Sequence, residues 1–186
     1  MQKLLWLLPL LLATGCPDSP TWLDNGLMVR DGLELHVDFF PQTVTADDLE
    51  GDTELLPEAV TWWNDQLDFE AFEQVDHIAD INVTIGYVPI TDWNPEYPDQ
   101  GEAGLAEVTY DSSGVINDCQ VTLSSDVSYH RPTLLQVLKH ELGHCLGLDD
   151  DPGPPTTVDL RSVMGVPLDP LGEVTDHDQE LIEAMR

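Results

Sequence analysis

Basic side chains are scarce in this sequence. Its 186 residues include 6 lysines and arginines against 36 aspartates and glutamates, a formal net charge of −30 at pH 7. A surface of this charge repels the phosphates of nucleic acids and the headgroups of anionic lipids, so neither is an expected partner. The acidic excess is typical of a highly solvated exterior, suited to a salty environment or to binding calcium.

Long apolar runs are also rare. After the first 16 residues, no segment approaches the roughly 18 apolar residues that a membrane-spanning helix needs. The chain begins MQKLLWLLPLLLATGC, in which Lys3 precedes an apolar run at residues 4–12 and small residues lead into Cys16. This pattern resembles a bacterial lipoprotein signal. We therefore predict a signal peptide over residues 1–15, with plain secretory cleavage nearby as the alternative.

The predicted signal implies an exported bacterial protein on the periplasmic face or cell surface. Its membrane contact would be a lipid on Cys16, followed by a spacer over residues 16–28. Of the 3 cysteines, Cys119 and Cys145 then remain. An oxidising compartment permits them to pair, and the bridge would stabilise the fold by roughly 3–4 kcal/mol on the chain-entropy model. Two buried free thiols are the alternative.

Four segments are predicted to be strands: residues 33–39 and 81–88, in which apolar and polar side chains alternate as they do in half-buried strands, and residues 104–111 and 115–124. The first of them places His36 on the solvent side. The last two flank the turn DSSG and predict a hairpin. Within that hairpin, Cys119 shares a core-facing side with Val121 and Leu123.

Helical spacing marks three further segments: residues 55–67, a helix beginning at Thr133, and a last helix beginning at Thr175. Pro57 is tolerated in the first turn of its helix. Thr133 and Gln136 form a capping-box pattern. The leucines that follow predict one buried stripe: Leu135, Leu138 and Leu142. We find no internal repeats and predict one α+β domain over residues 29–186.

Residues 140–150 are HELGHCLGLDD. On a helix, His140 and His144 lie four positions apart, so both imidazoles point the same way and can reach one ion. Glu141 lies beside them, where its carboxylate can reach a water on the metal but not the metal itself. This spacing is typical of a zinc site. A helix with two surface histidines is the alternative.

Two features beyond the helix favour the metal site. Gly147 is suited to a left-handed helix end that turns the chain back toward the metal. Asp150 follows three residues later as a third ligand; its neighbours Asp149 and Asp151 could replace it, but the spacing from Gly147 favours Asp150. Downstream, RSVMGVP places Met164 in a tight turn. Without the motif at 140–150, Met164 would be interpreted as an ordinary residue of the hydrophobic core.

HELGHCLGLDD followed by SVMG resembles the metzincin clan of zinc endopeptidases. It is most similar to the matrixins, which have a histidine at the position that Asp150 occupies here. The aspartate at this position resembles snapalysin-type bacterial proteases. The resemblance implies an α+β fold with a twisted, mostly parallel sheet, an antiparallel edge strand, an active-site helix, a methionine turn under the metal and a C-terminal helix. These two motifs, at 140–150 and 162–165, are its specific part.

The resemblance also implies an activity: a monomer that hydrolyses extended peptide or protein substrates. One catalytic Zn²⁺ would be bound by His140, His144 and Asp150, with Glu141 as general base and Met164 as the floor of the site. The segment GLAEV resembles the edge strand along which a peptide would lie: Gly104, Leu105, Ala106, Glu107 and Val108.

Several alternatives stay open. The chain could be a non-catalytic binding lipoprotein with a metzincin fold, or a zinc hydrolase of a non-protein substrate. An aspartate ligand leaves one less positive charge than a third histidine, so a bound water would be somewhat less acidic. No tyrosine follows Met164, which gives no support to a tyrosine-assisted mechanism. The acidic loops at 111–118 and 149–151 could bind structural Ca²⁺ or simply be solvated.

Overall fold

The protein is described by a computed structural model over residues 27–46, 49, 52–67, 69–75, 83–88, 104–124, 131–150, 163–164 and 174–185. The predicted signal peptide, Cys16 and most of the spacer lie outside these ranges. None of the helices within them has both the length and the apolar character required to cross a membrane. The described part is an α+β fold, as the sequence predicts.

A five-stranded sheet forms the centre of the fold, in the order β4-β3-β5-β7-β6. Its strands are β3 (Gln42–Ala46), β4 (Phe72–Gln74), β5 (Val83–Val88), β6 (Gly104–Tyr110) and β7 (Ile116–Ser124). The first four strands in spatial order pair in parallel, and β6 pairs antiparallel with β7 at one edge. The prediction of a mostly parallel sheet with an antiparallel edge strand is confirmed.

The hairpin of β6 and β7 is also confirmed. Its turn is held by the Asp111 carboxylate, which accepts hydrogen bonds from the N–H groups of Ser113 (2.8 Å) and Val115 (3.2 Å). Gly114 completes the turn with a φ of 93°, a conformation that favours glycine. On β7, the predicted core-facing residues are fully buried: Cys119, Val121 and Leu123.

The predicted strand over residues 33–39 is wrong in extent. Only β2 (Leu33–Glu34) is a strand; it pairs antiparallel with β1 (Val29–Arg30), apart from the main sheet. His36 then makes a single bridge to Val115. The backbone of this segment pairs with β1 at its start and with Val115 at His36, so no continuous ladder of strand hydrogen bonds forms. The alternation still predicts burial of Leu35 and Val37, but Phe39 is 55% exposed.

The first helix, α1 (Leu55–Leu67), has the predicted bounds. The second, α2 (Arg131–Cys145), begins before Thr133. Thr133 is therefore inside the first turn and is not the N-cap, and the capping box with Gln136 is wrong. Pro132 also lies in this turn, where the N–H that proline lacks has no helical acceptor. The predicted leucine stripe of α2 is buried: Leu135, Leu138 and Leu142.

The last helix, α3 (Asp176–Met185), begins as predicted. The N–H of Asp178 donates to the Thr175 hydroxyl oxygen (3.2 Å), and the N–H of Thr175 donates to the Asp178 carboxylate (2.9 Å). Each side chain thus pairs with an N–H that the helix leaves without an acceptor, which is the capping-box arrangement.

The core lies between the sheet and helices α1 and α2. Trp63 and Phe72 are its largest members, and their rings meet edge to face with centroids 6.4 Å apart. A disulfide joins Cys119 on β7 to Cys145, the last residue of α2, with a Cα–Cα distance of 5.5 Å. This confirms the predicted bridge. It attaches the C-terminal end of α2 directly to the sheet.

Candidate metal centre

His140 and His144 lie on the same side of α2, with ring centroids 4.7 Å apart. The Nδ1 of His140 is 3.0 Å from the carbonyl oxygen of Val163, and the Nδ1 of His144 is 2.9 Å from that of Leu148. A carbonyl oxygen only accepts, so each Nδ1 carries the hydrogen. In the neutral rings, the lone pairs of both Nε2 atoms are then available to a metal.

The chain turns back at the end of α2 as predicted. Gly147 has a φ of 94°, and its N–H donates to the carbonyl of His144 (2.9 Å). The N–H of Leu148 donates to the carbonyl of Gly143 (3.2 Å), which completes the helix end. A Cβ on Gly147 would lie 2.6 Å from the Leu35 carbonyl oxygen, so glycine is required there for space as well as for conformation.

Asp150 completes a group of three side chains that could hold a metal ion. Its Oδ1 lies 3.2 Å from Nε2 of His140 and 3.4 Å from Nε2 of His144. Ligand atoms 2.0–2.1 Å from a tetrahedral zinc lie about 3.3 Å from one another. The two distances from Asp150 to the histidines therefore match those around one tetrahedral ion, and all three ligand atoms lie within 4.8 Å of one another. The neighbour Asp149 accepts a hydrogen bond from the N–H of Asp150 (3.0 Å), and Asp151 lies outside the described residues.

The charges within this group support a bound cation. Burial opposes ionisation of Asp150, but its hydrogen bonds with His140 and His144 outweigh that effect and hold the pKa of the carboxyl well below its usual range. Burial likewise opposes protonation of His144, yet its hydrogen bond with Asp150 and the charge of Glu141 raise its pKa to about 8. The anionic groups thus favour positive charge where the two imidazoles converge.

Glu141 is buried beside the histidines, with 6% of its surface exposed. Burial raises the pKa of its carboxyl, while the charges of His144 and His140 and a hydrogen bond from the N–H of Ala106 act in the opposite direction. A Cβ on Gly104 would lie 2.8 Å from Oε1 of Glu141. The edge strand β6 therefore begins directly against this carboxylate, and Gly104 leaves the space that it occupies.

Met164 is fully buried under α2. A Cβ on Gly143 would lie 2.3 Å from the Met164 sulfur and 3.3 Å from an atom of the Trp63 ring. The thioether therefore packs against the helix backbone between the two histidines. Val163, whose carbonyl accepts from His140, directly precedes it. One turn of the chain thus supports the helix and orients a ligand.

Several of these contacts escaped prediction from the sequence. One signal was available for the contact with Met164, because a glycine inside a helical pattern, here Gly143, indicates that another group packs closely against the helix. The hydrogen bond from the indole N–H of Trp63 to the carbonyl of Lys139 (3.0 Å) has no sequence signal. The carbonyls of Val163 and Leu148 have none either, because every residue carries a carbonyl.

The predicted edge-strand residues all lie on β6, which pairs only with β7 among the described strands: Gly104, Leu105, Ala106, Glu107 and Val108. Within the described residues, no second group of three His, Cys, Asp or Glu side chains converges as His140, His144 and Asp150 do. The structural Ca²⁺ considered for the acidic loops stays a prediction.

No protein-family model matches the sequence, and no curated protein matches it either. The side chains of the site itself are therefore the basis for inferring what the protein does.

Proposed function

We propose that this protein is a zinc-dependent endopeptidase of the metzincin type. The observation that carries the proposal is the approach of the Asp150 carboxylate to both imidazoles, at 3.2 Å and 3.4 Å. Two nitrogens and one carboxylate oxygen suit Zn²⁺, and three protein ligands with one open position are typical of catalytic rather than structural zinc sites. A fourth side chain, Glu141, lies beside the group without belonging to it.

Zinc in this site would lower the pKa of a water molecule and polarise the carbonyl of the scissile peptide bond. The residues of the chain supply the rest. Glu141 accepts a proton from the attacking water and delivers one to the leaving amine. Its raised pKa favours proton uptake, and the N–H of Ala106 orients its carboxylate. With Asp150 in place of a third histidine, the site carries one less positive charge and polarises less strongly.

An extended peptide is the substrate that the surroundings of Glu141 favour. Strand β6 is the edge of the sheet within the described residues, and it begins against this carboxylate at Gly104. A peptide added along β6 would gain main-chain hydrogen bonds, and these do not depend on its sequence. Its scissile bond would then lie close to both Glu141 and the metal.

We further propose that the protein is exported and anchored by a lipid on Cys16, and that it acts as a monomer. The disulfide of Cys119 and Cys145 supports export, since such bridges persist in oxidising compartments. The net charge of −30 disfavours contact with nucleic acid or anionic lipid.

The test is the Glu141→Gln variant, assayed with a diverse peptide pool and for zinc content. We expect wild-type zinc binding and a loss of hydrolysis on the order of 10²–10⁴-fold, the usual contribution of a general base. A chelator should abolish wild-type hydrolysis. Glu73→Gln is the matched control, because Glu73 is exposed on β4 at the opposite edge of the sheet.

The outcomes separate the candidate functions. Hydrolysis by Glu141→Gln at the wild-type rate would refute the assigned role. Zinc binding by the wild type without cleavage of any peptide in the pool would instead favour a binding lipoprotein or a hydrolase of a non-protein substrate. Absence of zinc binding would contradict the proposed site as a whole.

A further inference from the structure

The chain before the main sheet folds back on the metal centre. Residues 27–37, which we call the N-terminal strap, form the hairpin of β1 and β2 and then run beside the turn of the β6–β7 hairpin. The backbone carbonyl of His36 accepts a hydrogen bond from the N–H of Ile116 (2.8 Å), and the backbone N–H of His36 donates to the carbonyl of Gly114 (3.0 Å). The strap is thus attached to the sheet along one side.

The strap is also attached to the turn that follows α2. The N–H of Met28 donates to the carbonyl of Gly147 (2.8 Å), and Leu27 forms an antiparallel bridge with Leu148. The Leu35 carbonyl lies where a side chain on Gly147 would be. The turn after α2 is therefore enclosed between two parts of the strap.

This turn determines the geometry of two of the three ligands. The Leu148 carbonyl accepts the hydrogen bond from Nδ1 of His144, which fixes the orientation of that ring. Asp150 follows two residues later, and its carboxylate is about half exposed, so its position depends on the backbone that carries it. A shift of Gly147 and Leu148 would move both ligand atoms relative to His140.

We infer that the N-terminal strap is a positioning element of the metal site. Its hydrogen bond and bridge to Gly147 and Leu148 hold the turn in the one conformation that brings His144 and Asp150 to a common ion. Release of the strap lowers the affinity for zinc without removing any ligand. This inference rests on the proposed function, since it assumes that the three side chains bind zinc.

The test measures zinc affinity by competition with a chromophoric chelator, on the full chain with its disulfide intact. Met28→Pro removes the N–H that donates to Gly147. We expect its zinc affinity to fall by roughly 10–100-fold, as for other changes to groups that orient metal ligands. Ile116→Ala is the control: Ile116 packs in the same small core cluster as Met28, and the substitution lowers stability there while leaving the strap's backbone donors in place.

Wild-type zinc affinity in a folded Met28→Pro variant would overturn the inference, and so would an equal loss in Ile116→Ala. Hydrogen exchange on the unmodified chain gives a second measurement if Met28→Pro does not fold. Because coupling is reciprocal, zinc should slow amide exchange in residues 27–37. Unchanged exchange there, with slower exchange at 140–150, would also refute the strap's role. A wild type that binds no zinc would contradict the proposed function itself.

Discussion

Gly143 packs closely against Met164. We therefore predict that Gly143→Ala lowers the free energy of unfolding of the wild-type protein but raises that of a Met164→Ala variant. A methyl group on Gly143 would lie 2.3 Å from the Met164 sulfur, closer than real Cβ contacts come. Met164 is fully buried, so its thioether has little room to move away. In a wild-type background, Gly143→Ala should therefore overpack the space under α2.

The magnitudes follow from opposing contributions. Alanine is favoured over glycine in a helix by about 1 kcal/mol, whereas overpacking a well-packed core costs about 1–3 kcal/mol. Gly143→Ala should thus destabilise the wild type by roughly 1 kcal/mol in net terms. Met164→Ala alone should cost roughly 2–5 kcal/mol through its cavity. In that background the clash is gone, so Gly143→Ala should stabilise by roughly 1 kcal/mol and give a coupling energy of about 2 kcal/mol.

The assay is a double-mutant cycle by urea denaturation, followed by tryptophan fluorescence and circular dichroism. A chelator in excess removes any stabilisation by bound metal, which would otherwise differ among the variants. The 3.3 Å contact with the Trp63 ring is present in both backgrounds and cancels in the cycle. If Gly143→Ala changes the free energy of unfolding by the same amount in both, within about 0.5 kcal/mol, the packing argument is refuted.

Three further predictions concern the disulfide, proton release on zinc binding and the pH dependence of the metal-free protein's stability. Replacing both Cys119 and Cys145 by alanine should lower the free energy of unfolding by roughly 3–4 kcal/mol for a sequence separation of 26 residues, and an unchanged urea midpoint would contradict this. Zinc must displace the proton of His144, whose pKa is raised to about 8, so zinc added at pH 7 in weak buffer should release a proton. The share of this release that comes from His144 should fade above pH 8 and leave only the proton of a zinc-bound water. A pH-stat trace in which the release does not fall between about pH 7 and about pH 9 would contradict the assignment. Since this pKa exceeds the ordinary 6.5, the metal-free protein should lose the corresponding stability as the pH rises through about 8.

Most features set by local sequence were predictable, although the capping box at Thr133 and Gln136, also a local pattern, was wrong. The bounds of α1, the hairpin turn beginning at Asp111, the left-handed Gly147 and the start of α3 next to Thr175 each depend on residues a few positions apart. Local spacing also predicted which side chains of β7 face the core. The three candidate ligands were predictable for the same reason, because one helix and its terminal turn place them all within residues 140–150.

Two strands that depend on distant partners, β3 and β4, were missed, although β5, which also has distant partners, lies within the predicted segment 81–88. In β3, the alternating buried positions are Gln42 and Val44, and the polar Gln42 hides the pattern. Its side-chain amide donates to the Phe39 carbonyl, so the buried polar group has a partner. Strand β4 has only three residues, and its pairing with β3 is parallel and non-local. Conversely, residues 33–39 alternate well but lack a continuous partner, so most of them form no strand.

The same division between local and distant information runs through the metal centre. The motif supplies the donor atoms, but a histidine can rotate about its side-chain bonds, and either ring nitrogen can carry the hydrogen. Backbone carbonyls outside the helix resolve both ambiguities. The carbonyl of Val163 orients His140, and the carbonyl of Leu148, a residue bridged to Leu27, orients His144. A chain could keep every letter of HELGHCLGLDD and still lose the site through changes at these supporting positions. The residues of the motif therefore predict which atoms could bind a metal ion, and the surrounding backbone determines whether those atoms converge.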